Sequence, residues 1–268
     1  MAGPTRRRIP MRRTLARATR TAVRLLGIKE KSELKFWTDV WDKTIRDGGL
    51  WGPDTLSLSG DHEVSADYLG RRWQQARAEV IRVLQETEIE DPDFFLGKTV
   101  IDIGPGCVGF PDACPAAVSI GVDPLGDGYA RSGLLLDSKA VYLAVPAERI
   151  PIRDESVDVV VSRNSLDHVD DPRAVIDEVR RLLRPGGHFL LNVDVEHPPS
   201  PTEPHELTVA QLKQWLAGFE IDREIKWDHS HADDDSEEGY AVVFVARKPG
   251  DEKPVAEAAR MATGRTGP

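Results

Sequence analysis

The stretch Thr99–Phe110, "TVIDIGPGCVGF", decides the fold of this chain. A short apolar run ends at Asp102, and glycines follow at positions 104, 106 and 109. Glycine adopts backbone angles that other residues avoid, and it lets a ligand approach the main chain closely. The spacing fits the G-x-G-x-x-G turn of dinucleotide-binding proteins, but a carboxylate two residues before the first glycine is foreign to that turn. The stretch therefore predicts a nucleotide-type ligand and leaves its identity open.

Apolar runs alternate with helical patterns from Phe94 onward. The strand candidates are residues 99–103, 117–122, 141–145, 157–163, 188–195, 219–226 and 239–246. This alternation predicts a parallel sheet with helices on both faces. The last two runs flank the acidic segment "DHSHADDDSEEG" and predict an antiparallel hairpin. We therefore expect an α/β fold: a seven-stranded, Rossmann-like, doubly wound sheet whose last strand is antiparallel, with a helical N-terminal cap.

The chain divides into four predicted parts. They are a basic N-terminal arm (1–31), a helical cap (32–92), the α/β domain (93–248) and a disordered tail (249–268). The cap is predicted to hold two amphipathic helices, one beginning at an N-cap Ser32 and one over about 65–88. The residues predicted to face inward on the second helix are Leu69, Trp73, Ala76, Val80 and Leu84. The cap's tryptophans either wall a substrate cleft or bury the helices against the sheet: Trp37, Trp41, Trp51 and Trp73.

Charge is distributed unevenly along the chain. Residues 1–31 hold ten Lys and Arg against one acidic residue, whereas the remainder holds 25 basic and 44 acidic residues. An acidic body argues against binding to duplex nucleic acid. Within the arm, residues 12–26 form a basic amphipathic pattern. Such a pattern is typical of a helix that contacts an anionic membrane surface or an anionic partner, and the alternative is an arm exposed to solvent.

Composition also limits the cellular setting. The chain has 268 residues and two cysteines, and no apolar run approaches the length of a membrane span. No uncharged apolar segment resembling a secretory signal opens the sequence. One cysteine pair does not form a disulfide scaffold, so we expect a cytoplasmic protein.

One candidate ribose contact is the same for both cofactors. Asp123 follows the second strand, 19 residues after Gly104, where a carboxylate accepts ribose hydroxyls of either NAD or S-adenosylmethionine. Two other features, Pro115 and Asp102, distinguish NAD from S-adenosylmethionine. A diphosphate needs a good helix N-terminus after the glycines, and Pro115 in "FPDACPAA" would end such a helix within about a turn. Asp102 repels a diphosphate but attracts the ammonium and sulfonium of S-adenosylmethionine. The electrostatics favour S-adenosylmethionine.

Four motifs in order resemble those of the class I S-adenosylmethionine-dependent methyltransferases. They are "VIDIGPG", "IGVDP", "PAERIPIRDESVDVVVSRNSLDHVDDP" and "LLRPGG", and they span about residues 97–195. The segments "GVDPLGDGY", "NSLDHVDDP" and "PTEPHELT" are most similar to bacterial members found among glycan and natural-product biosynthesis genes. The resemblance implies an enzyme that uses S-adenosylmethionine to methylate a small-molecule or glycan acceptor.

The resemblance also implies a set of cofactor-binding residues. The methionine part is surrounded by Asp102, Gly104 and Gly106. Asp123 holds the ribose, and Pro124 and Leu125 cover one adenine face. Ala147 donates a backbone N–H to the adenine, and Asn164 presents its main-chain carbonyl to the ammonium. Many relatives have an acidic residue where this chain has Pro146, and Glu148 is the candidate substitute for its contact with the adenine amine.

Two segments hold candidate residues for the acceptor. His168 is a possible general base, oriented by Asp167, in the segment that follows the fourth strand; the alternative is a structural histidine at the start of a helix. After the fifth strand, "DVEHPPSPTEPHE" supplies His197, Glu203 and His205 as candidate substrate contacts; the alternatives are a structural loop and a site for a divalent cation. Their spacing matches no compact metal motif, so no metal site is predicted.

The sequence thus predicts transfer of a methyl group from S-adenosylmethionine to a polar acceptor, preferably a hydroxyl of a sugar or secondary metabolite. One alternative is a non-methylating module that binds the cofactor for regulation or assembly. Another is an NAD(P)-dependent oxidoreductase. The acceptor, the atom methylated, metal dependence and oligomeric state stay open at this stage.

Overall fold

The computed structural model describes residues 27–43, 68–200, 202–227 and 240–250. The described residues form seven β-strands and five α-helices. The strands are β1 (Thr99–Ile103), β2 (Val118–Val122), β3 (Val141–Leu143), β4 (Val157–Arg163), β5 (Leu183–Val195), β6 (Glu220–Trp227) and β7 (Tyr240–Arg247). The helices are α1 (Ile28–Trp41), α2 (Tyr68–Glu86), α3 (Gly126–Arg131), α4 (Pro172–Leu182) and α5 (Val209–Trp215). The predicted arm before residue 27, Trp51, the acidic segment 228–239 and the tail from residue 251 lie outside the described residues.

The seven strands form one sheet in the order β3-β2-β1-β4-β5-β7-β6. Strands β1 to β5 are parallel to their neighbours, and β7 runs antiparallel to both β5 and β6. The chain moves outward from β1 to the edge strand β3 and then crosses back to β4, so the strand order switches between β1 and β4. Ligands of open α/β sheets bind beyond the carboxyl ends of the strands at such a switch. The predicted fold class is confirmed, including the antiparallel last strand.

The central strands are apolar on both faces because helices cover both sides of the sheet. Ile101, Val160 and Phe189 are fully buried on β1, β4 and β5. Burying one such side chain contributes roughly 1.5–3 kcal/mol relative to leaving it exposed. This packing fixes the strand ends that carry the polar residues discussed below.

Helix α4 begins with the predicted cap. The Asp171 side chain accepts a hydrogen bond from the Ala174 amide at 3.1 Å, and Pro172 occupies the first helical turn. The helix then buries an apolar stripe that includes Val175 and Val179. It anchors the segment between β4 and α4 against the sheet.

The two cap helices differ from the prediction in their start and in their buried face. Helix α1 begins at Ile28 rather than after Ser32, because Lys29, Glu30 and Lys31 are good helix formers and no breaker interrupts them. On α2, Ala76 is fully buried and Val80 and Leu84 pack against the core as predicted, but Leu69 and Trp73 are exposed. The buried residues of this helix also include Arg72, Gln75 and Glu79. Hydrogen bonds and ion pairs, rather than apolar packing alone, therefore set the rotation of α2.

Among the described residues, none of the helices combines the length and apolar content that crossing a membrane requires.

Candidate active site

A cavity of about 1070 Å³ opens at the carboxyl ends of β1 and β4. Its walls come from the glycine turn, the ends of β2 and β4, helix α1 and the loop after β5. Single-ligand pockets usually measure roughly 300–1,000 Å³. The volume therefore accommodates a nucleoside-sized ligand together with a second small molecule.

The glycine turn is built from two left-handed residues, Gly104 with φ +70° and Gly106 with φ +66°. A Cβ at Gly104 would lie 2.5 Å from the Ser165 Cβ, and one at Gly106 would lie 2.4 Å from the Trp37 ring. The indole of Trp37 on α1 thus packs directly on Gly106. For that reason Gly106, alone among the predicted cofactor residues, does not line the cavity.

No α-helix follows the turn within residues 104–117, where only a short 3₁₀ segment forms at Phe110–Asp112. This agrees with the effect predicted for Pro115. The turn offers its backbone to a ligand without the helix N-terminus on which a diphosphate would rest.

Asp102 lies near the end of β1, is 5% exposed and lines the cavity. Burial raises the pKa of its carboxyl well above the ordinary value; the positive charge of Arg163 lowers it, and Glu79 and Asp123 raise it further. A ligand cation beside Asp102 would therefore offset an unfavourable buried charge.

Asp123 follows β2 and is also buried. Its Oδ1 accepts a hydrogen bond from the Leu125 amide at 2.9 Å, and Tyr129 Oη donates to its Oδ2 at 3.3 Å. Burial raises the pKa of Asp123 to about 6, against the lowering effect of the bond from Leu125. The carboxylate is held rigidly against the cavity, as a ribose acceptor requires.

The remaining predicted cofactor residues complete one end of the cavity. Pro124, Leu125, Ala147, Glu148 and Asn164 all line it. Asn164 adopts a left-handed conformation with φ +47°, which is uncommon for a non-glycine residue. Glu148 Oε1 accepts from the amides of Asp170 and Asp171 at 2.9 and 3.0 Å. That oxygen holds the segment before α4, which leaves only the other oxygen for an adenine amine.

His168 lines the same cavity, where α1 and the loop after β5 face each other. Its Nδ1 is 3.4 Å from Glu33 Oε1, its Nε2 is 3.8 Å from Glu203 Oε1, and Lys29 Nζ donates to its backbone oxygen. Burial by itself lowers the pKa of His168, but Glu33, Asp167 and Glu203 together outweigh burial and raise it. The cavity therefore ends in an imidazole surrounded by carboxylates.

Asp167 does not occupy the orienting position expected for it, because Glu33 is the partner of the His168 Nδ1. Consecutive residues in a turn point their side chains in different directions, and Asp167 points into the protein. It is 1% exposed, and its Oδ2 lies 3.8 Å from His197 Nε2. Burial raises the pKa of its carboxyl, while the charge of His168 lowers it.

The loop after β5 contributes two of its three predicted residues to the cavity. Glu203 and His205 line it, whereas His197 lies behind Asp167. His205 Nε2 donates to the Val169 backbone oxygen at 2.7 Å, so this side chain also fastens the loop to the segment after β4. The hydroxyl of Ser200 contacts Glu203 and shapes the turn between them.

Helix α1 and one buried ion cluster supply site residues that the sequence did not reveal. Glu33 and Trp37 line the cavity; for Trp37 a cleft wall was one of the two predicted roles, whereas Glu33 was not singled out. Arg163 at the end of β4 pairs with Glu79 and Glu86 of α2, beside Asp102. No spacing rule links these residues, because they meet only when α2 packs on the sheet.

Comparison with known proteins agrees with this arrangement. Residues 101–191 match a family model described as "Methyltransferase domain". In Mycolicibacterium smegmatis, a protein named "Probable S-adenosylmethionine-dependent methyltransferase" is 32% identical over 42% of this chain and 51% of its own length. A "Ubiquinone biosynthesis O-methyltransferase" of Pseudomonas paraeruginosa is 29% identical over 52% of this chain and 65% of its own.

Among solved structures, the chain titled "[4+2]-Cyclase SpnF" aligns with a TM-score of 0.54 at 19% identity, covering 83% of this chain and 95% of that one. At this identity the likeness concerns the fold alone. The chain spans about half the length of the curated relatives it matches. The family match, the glycine turn and the sheet order converge on one conclusion: residues 101–191 are similar to a methyltransferase domain of the S-adenosylmethionine-dependent kind.

Proposed function

We propose that the protein transfers a methyl group from S-adenosylmethionine to a hydroxyl of a small polar acceptor, such as a sugar or a secondary metabolite. One observation carries this proposal. The cofactor-type residues and the carboxylate–imidazole cluster of Glu33, His168 and Glu203 line a single cavity. The O-methyltransferase name of one relative supports a hydroxyl acceptor.

In this proposal the cofactor lies along the glycine turn. Its ammonium lies beside Asp102 and the carbonyl of Asn164, and its ribose hydroxyls donate to Asp123. Pro124, Leu125 and the backbone of Ala147 enclose the adenine, with Glu148 at its edge. Gly106 contributes indirectly, because its missing side chain lets Trp37 close this end of the cavity.

The chemistry needs little from the protein besides alignment and exclusion of water. A carbon–oxygen bond forms while the carbon–sulfur bond breaks, the sulfonium becomes a neutral thioether, and the hydroxyl proton leaves. We propose that His168 acts on that proton, with Glu33 at its Nδ1 and the charge of Asp167 nearby, an effect generally worth about 10²–10⁴-fold in rate. Glu203 and His205 contact the acceptor, and His197 acts through Asp167.

A cofactor-binding module without methyltransferase activity is the second candidate. Its basis is that the same fold occurs in a chain named as a [4+2]-cyclase, so fold alone does not select the reaction. An oxidoreductase is disfavoured because the turn lacks a helix N-terminus for a diphosphate. A cytoplasmic location is part of the proposal, since Cys107 and Cys114 are both free thiols.

Transfer of a trideuteriomethyl group tests the proposal. Labelled cofactor and the protein are incubated with fractionated small molecules from the source cells, and labelled products are sought by mass spectrometry. We expect a labelled product. His168→Ala should slow its formation about 10²–10⁴-fold, and the exposed control Arg173→Ala should leave the rate unchanged. Cofactor binding without any labelled product in any fraction would instead favour the non-methylating module.

A further inference from the structure

The side chains of Asp167, His168 and Glu203 converge where the segment after β4 meets the loop after β5; His168 and Glu203 line the cavity, and Asp167 is buried beside them. Each offers one ligand atom, and the three atoms lie within 4.8 Å of one another. Asp167 and His168 follow β4, whereas Glu203 belongs to the loop after β5, so the cluster forms only when the two segments pack together. This explains why no metal-ligand spacing is visible in the sequence.

The spacing of these atoms approaches that of a metal centre. Ligand atoms that bind one first-row ion at about 2.0–2.2 Å lie no more than roughly 4.4 Å apart. His168 Nε2 and Glu203 Oε1, 3.8 Å apart, already meet this limit. All three ligand atoms lie within 4.8 Å of one another, so a small movement of the Asp167 carboxylate completes the set.

The orientation of His168 is that of a metal ligand with an outer-sphere partner. A metal-bound histidine generally donates its second ring N–H to a carboxylate, which fixes the tautomer and the ring. Here Nδ1 faces Glu33 Oε1 at 3.4 Å, which directs Nε2 toward Glu203 and the cluster. Helix α1 would thus supply the outer-sphere carboxylate.

Asp167 provides an independent observation. It is 1% exposed, and within the described part of the chain its Oδ1 has no hydrogen-bond partner. A buried carboxylate oxygen without a partner is costly, so such atoms usually have a bound ion or water in contact with them. The neighbouring His197 Nε2, 3.8 Å from Oδ2, is also without a hydrogen-bond partner in those residues.

We infer that Asp167, His168 and Glu203 bind one divalent first-row transition-metal ion, with Glu33 as the outer-sphere partner of His168. A mixed carboxylate and imidazole set suits Mn²⁺ or Zn²⁺ better than Ca²⁺ or Mg²⁺, which prefer oxygen ligands alone. The ion would offset the charge of the converging carboxylates.

The existence of the site does not depend on the reaction, but its role rests on the proposed function. An acceptor hydroxyl bound to the ion becomes more acidic and releases its proton to solvent, as metal-bound water does. It is also fixed in position for attack on the methyl group. His168 would then act on the acceptor as a ligand of the ion rather than as a free base.

Titration of the full chain with Mn²⁺, followed by electron paramagnetic resonance, tests the inference directly. We expect one ion per chain, abolished by Glu203→Gln and by Asp167→Asn, and weakened about 10- to 100-fold by Glu33→Gln. Glu30→Gln is the matched control, because Glu30 is an exposed cavity residue of the same helix, and it should leave binding unchanged. Zn²⁺ competition should displace the Mn²⁺, and Mg²⁺ should not.

Titration of each variant with S-adenosylhomocysteine shows whether the fold and the cofactor end are intact. If Asp167→Asn fails to fold, metal binding by Glu203→Gln still tests the inference, because Glu203 is partly exposed. Absence of one-to-one binding by both Mn²⁺ and Zn²⁺, or equal weakening by Glu30→Gln and Glu203→Gln, overturns the site. Metal binding without methyl transfer would instead retain the site and reject the proposed function.

Discussion

Replacing Asp123 with Asn should stabilise the ligand-free protein while weakening cofactor binding. The buried carboxylate has its pKa raised from 3.8 to about 6. Since each pKa unit corresponds to about 1.4 kcal/mol, keeping this group ionised at pH 7 costs the ligand-free fold roughly 3 kcal/mol. An amide avoids that cost, and it can still accept from the Leu125 amide and contact the Tyr129 hydroxyl.

The pH dependence of this gain has a definite sign. The pKa of Asp123 is higher in the folded than in the unfolded state, so the folded state holds the proton more tightly. The cost of ionisation is therefore small below pH 3.8, grows as the pH rises, and is complete above the folded-state pKa of about 6. The stabilisation by Asp123→Asn should fall to about half near pH 5.

Cofactor affinity should change in the opposite direction. Hydrogen bonds to a charged acceptor contribute about 1.5–3 kcal/mol, against about 1 kcal/mol for neutral ones. With two ribose hydroxyls involved, Asp123→Asn should weaken S-adenosylhomocysteine binding roughly 10- to 100-fold. Urea denaturation at pH 7 and pH 5 measures the first effect, and calorimetry measures the second. A variant that is less stable at pH 7 and binds the ligand normally would refute the reasoning.

Three other substitutions test separate parts of the structure. Gly106→Ala forces a left-handed alanine against the Trp37 ring, so it should cost about 1–3 kcal/mol, change tryptophan fluorescence and weaken S-adenosylhomocysteine binding; an unchanged spectrum would argue against the contact. Asp171→Ala removes the cap of α4 and should cost about 1 kcal/mol in urea denaturation, with cofactor affinity as the control that stays constant. Arg163→Leu strands its buried glutamate partners on α2 and should cost about 3–5 kcal/mol; thermal unfolding at the wild-type temperature would contradict that pairing.

The sheet and the cofactor end of the cavity were predictable because their signals are local. Apolar runs bounded by turns mark the strands, and the predicted β1 and β4 coincide with the observed ones. Asp102 and Gly104 lie at the end of β1 and Asp123 follows β2, and the parallel order of the strands brings them together. The absence of a helix after the glycine turn was likewise predictable, because Pro115 lacks a backbone N–H and this is a property of a single residue.

The acceptor end was predictable only in part, because it depends on contacts between distant segments. Glu33 meets His168 across 135 positions of the chain, and no periodicity of α1 indicates that contact. The rotation of α2 was misjudged because its buried face is held by charged side chains such as Arg72, which pairs with Asp112. Apolar periodicity cannot predict such a face.

The most direct test of the account is calorimetric titration of the full chain with S-adenosylhomocysteine and, separately, with NAD. The glycine turn, Asp102 and the missing helix after the turn together predict one bound S-adenosylhomocysteine per chain and no measurable binding of NAD. Binding of NAD without binding of S-adenosylhomocysteine would contradict the cofactor assignment and, with it, the proposed methyl transfer.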